Sequence, residues 1–196
     1  MINLYMARHG ETKSNQKKVY YGWTDVPLTR NGVKQCQGLR DKLCNVNFDV
    51  VISSSLERAL NSAEIIGDVK RECIAAYDGL KELNFGKWEE LHYKDIEEKY
   101  NDDWNSWIHD WENFCMPEGE SFSGLYKRVK ICLYEILEKY KDKTVLLVCH
   151  QGTLRIISTL LLNMKVSDYW SFTFEFGMFT LFEIQEDLTI IKKINY

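Results

Sequence analysis

The chain has 196 residues, of which 45% are hydrophobic and 28% charged, and its formal net charge is −4. A chain of this length favours one domain with a substantial buried core. The mildly acidic balance, without a long basic run, argues against nucleic acid as a partner. It leaves room for a small anionic ligand held by a local cluster of arginines.

Three further features narrow the class of protein. The six cysteines form no CxxC pair and match no zinc spacing. The first residues, MINLYMARHG, lack the pattern of a secretory signal, and the longest apolar run, around 156–162, is too short to span a bilayer. We therefore expect a cytoplasmic protein with reduced cysteines, no membrane contact, no metal and no cofactor.

The first part of the chain alternates between strand and helix patterns. Residues 2–7 form a short apolar run, which predicts a buried strand ending at Arg8. Thr29 is a candidate N-cap for a helix over 30–43, and the β-branched run at 50–52 is typical of a central parallel strand. Ser54 to Glu57 resembles a capping box that begins a helix reaching about residue 66.

The second part begins with an aromatic and acidic segment. Trp104, Trp107 and Trp111 recur at helical spacing, which predicts helices that cover one end of the sheet. The later elements are an amphipathic helix over 121–140, a buried strand over 144–149, a helix from about Gly152, and a hairpin of strands 180–184 and 189–194. The alternation predicts an α/β fold, a three-layer αβα sandwich with a mostly parallel central sheet. We expect one domain over 1–196, with a helical cap-like segment at about 89–117.

Charged and imidazole side chains follow three of the predicted strands. Arg8 and His9 follow the first, Arg58 follows the second across a serine-rich turn, and His150 follows the strand at 144–149. Ligands of parallel sheets bind beyond the carboxyl ends of the strands, so these side chains should converge. One guanidinium group can bind two phosphate oxygens at once. The helix N-termini after Ser54 and Gly152 would add backbone N–H donors. The sequence therefore predicts a phosphate pocket.

A second phosphate motif competes with this interpretation. Cys149 and Arg155 fit C-x5-R after a buried strand, as in cysteine phosphatases, where a thiolate attacks phosphorus. The histidine that usually precedes that cysteine is absent, and the loop has one glycine. Alternation along the strand also places Cys149 opposite His150, so we expect Cys149 to point into packing.

Ordered motifs along nearly the whole chain resemble the histidine phosphatase superfamily, which has the phosphoglycerate-mutase-like fold. The matching segments are ARHGET at 7–12, Asn15, YGWTDVPLTRNGVKQ at 21–35, SSSLERALNSAEI at 53–65, LKELNFGKWE at 80–89, PEGESF at 117–122 and VCHQGTLR at 148–155. One departure is Ser62, which stands where the family usually has threonine. A lone RHG is a weak signal, but the ordered set is specific.

The resemblance implies a role for each matching residue. His9 would attack phosphorus and form a phosphohistidine, and Glu82 would protonate the leaving oxygen. The equatorial oxygens would be held by Arg8, Asn15, Arg58 and His150. Glu11 is the rival proton donor, and Glu89 and Glu120 are further alternatives. No metal is required by this mechanism.

The expected substrate is a small phosphate monoester. Mutases of the family are longer and carry an inserted segment that closes over the substrate, whereas this chain has only residues 89–117 at that position. Transfer between substrates requires that water be excluded from the site, so a shorter cover favours hydrolysis. Segments 104–129 and 168–184 most resemble the branch that hydrolyses α-ribazole 5′-phosphate in cobalamin synthesis. The alternatives are a broad-specificity sugar or nucleotide phosphatase, a phosphoglycerate mutase and a non-catalytic phosphate-binding module. The aromatic residues that could stack on a benzimidazole, or only pack, are Trp104, Trp107, Trp111, Phe114 and Phe122. The oligomeric state stays open.

Overall fold

The computed structural model describes residues 1–196 and is built around one six-stranded sheet. The strands are β1 (Ile2–Arg8), β2 (Val50–Ser54), β3 (Ile74–Tyr77), β4 (Thr144–Cys149), β5 (Phe179–Ile184) and β6 (Thr189–Lys193). Their order across the sheet is β3-β2-β4-β1-β5-β6. The first four are mutually parallel, while β5 runs antiparallel to both β1 and β6. The mostly parallel sheet and the final hairpin were both predicted.

Helices cover both faces of the sheet. They are α1 (Lys13–Lys17), α2 (Arg30–Lys42), α3 (Glu57–Gly67), α4 (Tyr93–Lys99), α5 (Asn101–His109), α6 (Phe122–Lys139) and α7 (Gln151–Leu161). Alternate residues of β4 separate the two cores: Leu146 and Val148 pack with α2 and α3, whereas Val145 and Leu147 pack with α6 and α7. This is the predicted three-layer α/β sandwich.

The aromatic segment forms a compact cluster beside the larger core. Trp104 and Trp107 of α5 contact each other at 5.1 Å between ring centroids, and both contact the fully buried Trp88. Phe114 stacks on Trp88 at 5.6 Å. Trp111 lies beyond the end of α5 at His109, so the helical spacing of the three tryptophans does not continue to it.

Two other local predictions were wrong. β3 was missed because it has only four residues, none of them buried, at the edge of the sheet, and so gives no clear periodicity. The capping box at Ser54 does not form: the N-cap of α3 is Leu56, which makes no side-chain capping bond. The Ser54 hydroxyl instead hydrogen-bonds to a histidine of the site described below. No helix has both the length and the apolar character needed to cross a membrane.

Candidate active site

The two histidines of the predicted pocket lie side by side. β1 and β4 are parallel neighbours in the register that pairs Arg8 with Cys149, and the His9 N–H donates to the Cys149 carbonyl at 3.0 Å. The next residue of each strand therefore reaches the same point at the carboxyl edge of the sheet. The rings of His9 and His150 are 5.2 Å apart between centroids.

The surroundings of His9 leave it neutral with one free nitrogen. Its Nδ1 lies 2.8 Å from the Gly10 carbonyl, to which it can only donate, so in the neutral ring Nε2 is unprotonated. The side chain is buried, and burial together with Arg58 and Arg8 holds the pKa of His9 well below its usual value. A neutral imidazole with a free Nε2 is the form that can act as a nucleophile.

Ser62 holds the residue after His9. The Gly10 N–H donates to Ser62 Oγ at 3.0 Å, and Ser62 Oγ donates to the Arg58 carbonyl at 2.6 Å. Thus the residue that replaces the family's usual threonine ties α3 to the segment carrying His9.

His150 has the complementary arrangement. Its Nε2 lies 2.8 Å from Ser54 Oγ, while its Nδ1 is buried without a hydrogen-bond partner. If the serine hydroxyl donates to Nε2, Nδ1 carries the proton and is a free donor. Burial, followed by Arg58, holds the pKa of His150 well below its usual value.

Both arginines approach the histidines over aromatic rings. The Arg8 guanidinium is 4.1 Å from the Phe176 ring centroid, and that of Arg58 is 4.7 Å from the Tyr21 centroid. Arg58 also donates to the carbonyls of Gly22 and Thr24, so part of its hydrogen-bonding capacity holds that loop. The Nε groups of Arg8 and Arg58 are buried without partners. Buried donors are normally satisfied, so these groups mark a place for an anion.

A cleft of about 410 Å³ opens beside this cluster. Its polar lining includes Arg8, Asn15 and Glu82. Its aromatic lining comprises Tyr20, Tyr21, Phe85, Trp107, Trp111, Phe122, Tyr169 and Trp170. Among the aromatic residues predicted from the sequence, Trp104 and Phe114 are absent from the lining and pack around Trp88.

Asn15 lies between the aromatic loop and the cleft. Its Oδ1 accepts from the N–H and hydroxyl of Thr12 and from the Tyr21 hydroxyl. With the carbonyl oxygen engaged in this way, the Nδ2 donor is left for a ligand.

The Glu82 carboxylate faces the cleft at the N-terminus of α7. Its Oε2 accepts from the Gly152 N–H at 2.8 Å and its Oε1 from the Leu83 N–H at 3.0 Å. Two of the N–H groups at the predicted helix N-termini therefore already have carboxylate partners. Gly152 N–H serves Glu82, and Glu57 N–H serves Asp25.

The three alternative carboxylates have structural partners. Glu11 binds Thr29 and Gln16, and the hydrogen bond from Thr29 lowers its pKa. Glu89 accepts from backbone N–H groups of Gly22, Trp23, Thr24 and Phe85. Glu120 binds Arg128. None of the three lines the cleft, whereas Glu82 does.

Cys149 packs into the core, as alternation along β4 predicted. Its side chain is fully buried, and burial raises the pKa of its thiol well above the usual value. A thiol of this kind is a poor nucleophile.

Four supporting residues were not identified as site residues from the sequence. The rings of Phe176 and Tyr21 stack on Arg8 and Arg58, respectively. Ser54 hydrogen-bonds to His150, and Ser62 accepts from the N–H of Gly10, the residue after His9. Tyr21, Ser54 and Ser62 occur within the family motifs, and Phe176 lies in the segment 168–184, but no sequence pattern indicates that Phe176 reaches Arg8 from 168 positions away. No cluster of three or more histidine, cysteine or carboxylate side chains could hold a metal ion.

Known proteins resemble the whole chain. An adenosylcobalamin/α-ribazole phosphatase of Escherichia coli K12 is 29% identical over 99% of this chain and 96% of its own length. Phosphoserine phosphatase 1 of Hydrogenobacter thermophilus is 29% identical over 100% of this chain and 92% of its own. The crystal structure of the α-ribazole phosphatase from Shigella flexneri superposes with a TM-score of 0.93 at 30% identity, covering 99% of this chain and 96% of that one.

The family model that describes the histidine phosphatase superfamily (branch 1) matches residues 4–196. The chain therefore belongs to the histidine phosphatase superfamily.

Proposed function

We propose that this protein is a metal-independent phosphomonoesterase that works through a phosphohistidine at His9. The observation that carries the proposal is the neutral His9 ring, with Nε2 free, beside three buried nitrogen atoms without partners: Arg8 Nε, Arg58 Nε and His150 Nδ1. Phosphoryl transfer depends mainly on positioning and on compensation of charge, and this cluster supplies both.

The first step forms a P–N bond and breaks the ester P–O bond. His9 Nε2 attacks phosphorus while its Nδ1–H stays on the Gly10 carbonyl, which shares the positive charge that develops on the ring. Arg8, Arg58, His150 and Asn15 hold the phosphoryl oxygens. Glu82, protonated in the reactive form, gives its proton to the leaving oxygen.

The second step returns the enzyme to its starting state. The Glu82 carboxylate takes a proton from water, the water oxygen attacks phosphorus, and the P–N bond breaks. Inorganic phosphate leaves, with His9 neutral and Glu82 protonated again.

The substrate that we propose is α-ribazole 5′-phosphate, in the synthesis of the cobalamin nucleotide loop. Support comes from the aromatic lining of the cleft, which offers faces for a planar base, and from the relatives named α-ribazole phosphatases. The phosphoserine phosphatase relative keeps a second candidate open, a phosphatase for smaller esters.

A panel of esters tests the substrate. α-Ribazole 5′-phosphate carries a benzimidazole where ribose 5-phosphate carries the anomeric hydroxyl, so kcat/KM should be ~5- to 150-fold higher for the former if stacking contributes ~1–3 kcal/mol. Trp170→Leu should reduce that ratio, while Tyr134→Leu, an equally exposed aromatic outside the cleft, should not. Higher kcat/KM for phosphoserine or ribose 5-phosphate would reject the α-ribazole assignment. Isomerisation of 3-phosphoglycerate would instead favour a mutase.

A further inference from the structure

The proposed acid, Glu82, lies on a segment with no regular secondary structure. Residues 81–85 connect two short 3-10 turns, Asp78–Leu80 and Gly86–Trp88. A proton donor must be held near the leaving oxygen, and irregular loops hold side chains less well than helices or strands. The segment therefore needs support from elsewhere in the fold.

Arg128 supplies that support from the middle of α6. Its NH1 donates to the carbonyls of Gly79 and Lys81 at 3.1 and 2.7 Å, and its NH2 donates to the carbonyl of Glu82 itself at 2.8 Å. One guanidinium thus binds three carbonyls within four residues. Since α6 has 18 residues and six buried side chains, Arg128 links the segment to a rigid helix.

Glu120 fixes the orientation of Arg128. Its two carboxylate oxygens accept from Nε and NH2 of Arg128 at 2.8 and 2.9 Å, which is a bidentate pair. The side chains are only 22% and 19% exposed, so water competes weakly for these bonds. Trp23 Nε1 donates to the same Glu82 carbonyl at 2.9 Å from the opposite loop.

We propose that Arg128, oriented by Glu120, is a positioning residue for the proton donor Glu82. Arg128 does not line the cleft, so its effect on a bound ester would pass through Glu82. It fixes the peptide from which the Glu82 carboxyl reaches the cleft. This inference rests on the proposed function, specifically on Glu82 as the acid.

Such a residue has a distinctive kinetic effect. A misplacement of ~1 Å can lower a rate by ~10²-fold, but only in a step that uses the misplaced group. p-Nitrophenyl phosphate has a leaving group that needs little protonation, whereas an alkyl phosphate needs much. Arg128→Met should thus lower kcat for ribose 5-phosphate by ~10- to 10²-fold and for p-nitrophenyl phosphate by less than ~3-fold, with KM nearly unchanged.

The experiment measures kcat and KM for both esters in five variants. They are Glu82→Gln, Arg128→Met, Arg128→Lys, the double variant Glu82→Gln/Arg128→Met, and Arg71→Met. Arg71 is the matched control, because it forms a comparable network with Glu57 and Glu64 on the exposed side of α3. Its loss should leave the ratio of the two esters as in the wild type.

The expected pattern separates positioning from general stability. Arg128→Lys should recover part of the alkyl-ester rate, because an ammonium can still donate to some of the three carbonyls. This conservative variant also keeps the test valid if Arg128→Met folds poorly. In the double variant, Arg128→Met should add nothing to the loss caused by Glu82→Gln.

Two results would overturn the inference. If Glu82→Gln slows the alkyl ester selectively but the Arg128 variants slow both esters equally or neither, Arg128 has no positioning role and the acid assignment stands. If Glu82→Gln itself shows no dependence on the leaving group, both the acid assignment and the role of Arg128 fail.

Discussion

At the scale of single residues, His9 and His150 are unusual because both are buried while two arginines lie next to them. Water does not stabilise a charged imidazole there, and the guanidinium groups repel it, so the pKa of each ring lies well below its usual value. Both rings are therefore neutral near pH 7 in the free protein.

The lowered pKa values of the two histidines make the free energy of unfolding depend on pH. In the unfolded chain the histidines bind protons below about pH 6.5, whereas the folded protein does so only at lower pH. Their contribution to stability is present above about pH 6.5 and is lost as pH falls from there towards the lowered native pKa values. Urea unfolding from about pH 5 to about pH 8 should show this slope, and His150→Asn should make it shallower. An unchanged slope in that variant would contradict the proposed neutral state of His150.

The choice between the two candidate nucleophiles is also made at this scale. His9→Ala should lower kcat by more than ~10³-fold, because no other free nucleophile lies at the site. Cys149→Ser should leave kcat within about threefold of wild type, since that thiol packs in the core. Retention of about a tenth of wild-type activity in His9→Ala would remove His9 from the mechanism.

At the scale of elements, the N-terminus of α7 determines the position of the Glu82 carboxylate. A Cβ on Gly152 would lie 2.4 Å from Glu82 Oε1 and 3.0 Å from the Tyr169 hydroxyl. The glycine is therefore required by the close approach of the carboxylate, although a helix would be better served by alanine.

Substituting this glycine should harm activity more than stability. Gly152→Ala should displace the Glu82 side chain and lower kcat for alkyl esters by ~10-fold or more, with little loss in the free energy of unfolding. Gly38→Ala is the matched control, because that helical position faces open space. It should raise the unfolding free energy by ~0.5–1 kcal/mol and leave kcat unchanged. Equal kinetic behaviour of the two variants would contradict this account of Gly152.

The same elements indicate what a sequence can and cannot predict. β4 is a continuous apolar run that is buried on both faces, and β1 is mostly apolar with every second residue buried, so their ends, and with them His9 and His150, could be located directly. The capping box at Ser54 failed because the serine is used by a histidine 96 positions away. Local propensity carries no information about such partners, and the same holds for Gly152 and Phe176.

At the scale of the whole molecule, the site exists because β1, β2 and β4 are adjacent and parallel. Their carboxyl ends bring Arg8, His9, Arg58 and His150 together from three distant parts of the sequence. The fold and the family were predicted correctly because these buried strands and their motifs lie in order along the chain. A single domain with a cap at 89–117 stays a prediction.

The charge of the assembled site bears on metal dependence. The two guanidinium charges of Arg8 and Arg58 can offset the charge of a phosphate without a divalent ion. Turnover should therefore survive treatment with EDTA and should gain nothing from added Mg²⁺ or Zn²⁺. Loss of turnover on chelation, with recovery on adding either ion, would count against this mechanism.

The most direct test of the central claim is to trap the covalent intermediate. Rapid acid-free quench of the enzyme with p-nitrophenyl [³²P]phosphate should give a label that is labile to acid, stable to base and located on His9 by mass spectrometry. The label should increase in Glu82→Gln, if water attack relies on that carboxylate, and should be absent from His9→Ala. A label on Cys149, or turnover with no covalent label in any variant, would contradict the phosphohistidine mechanism.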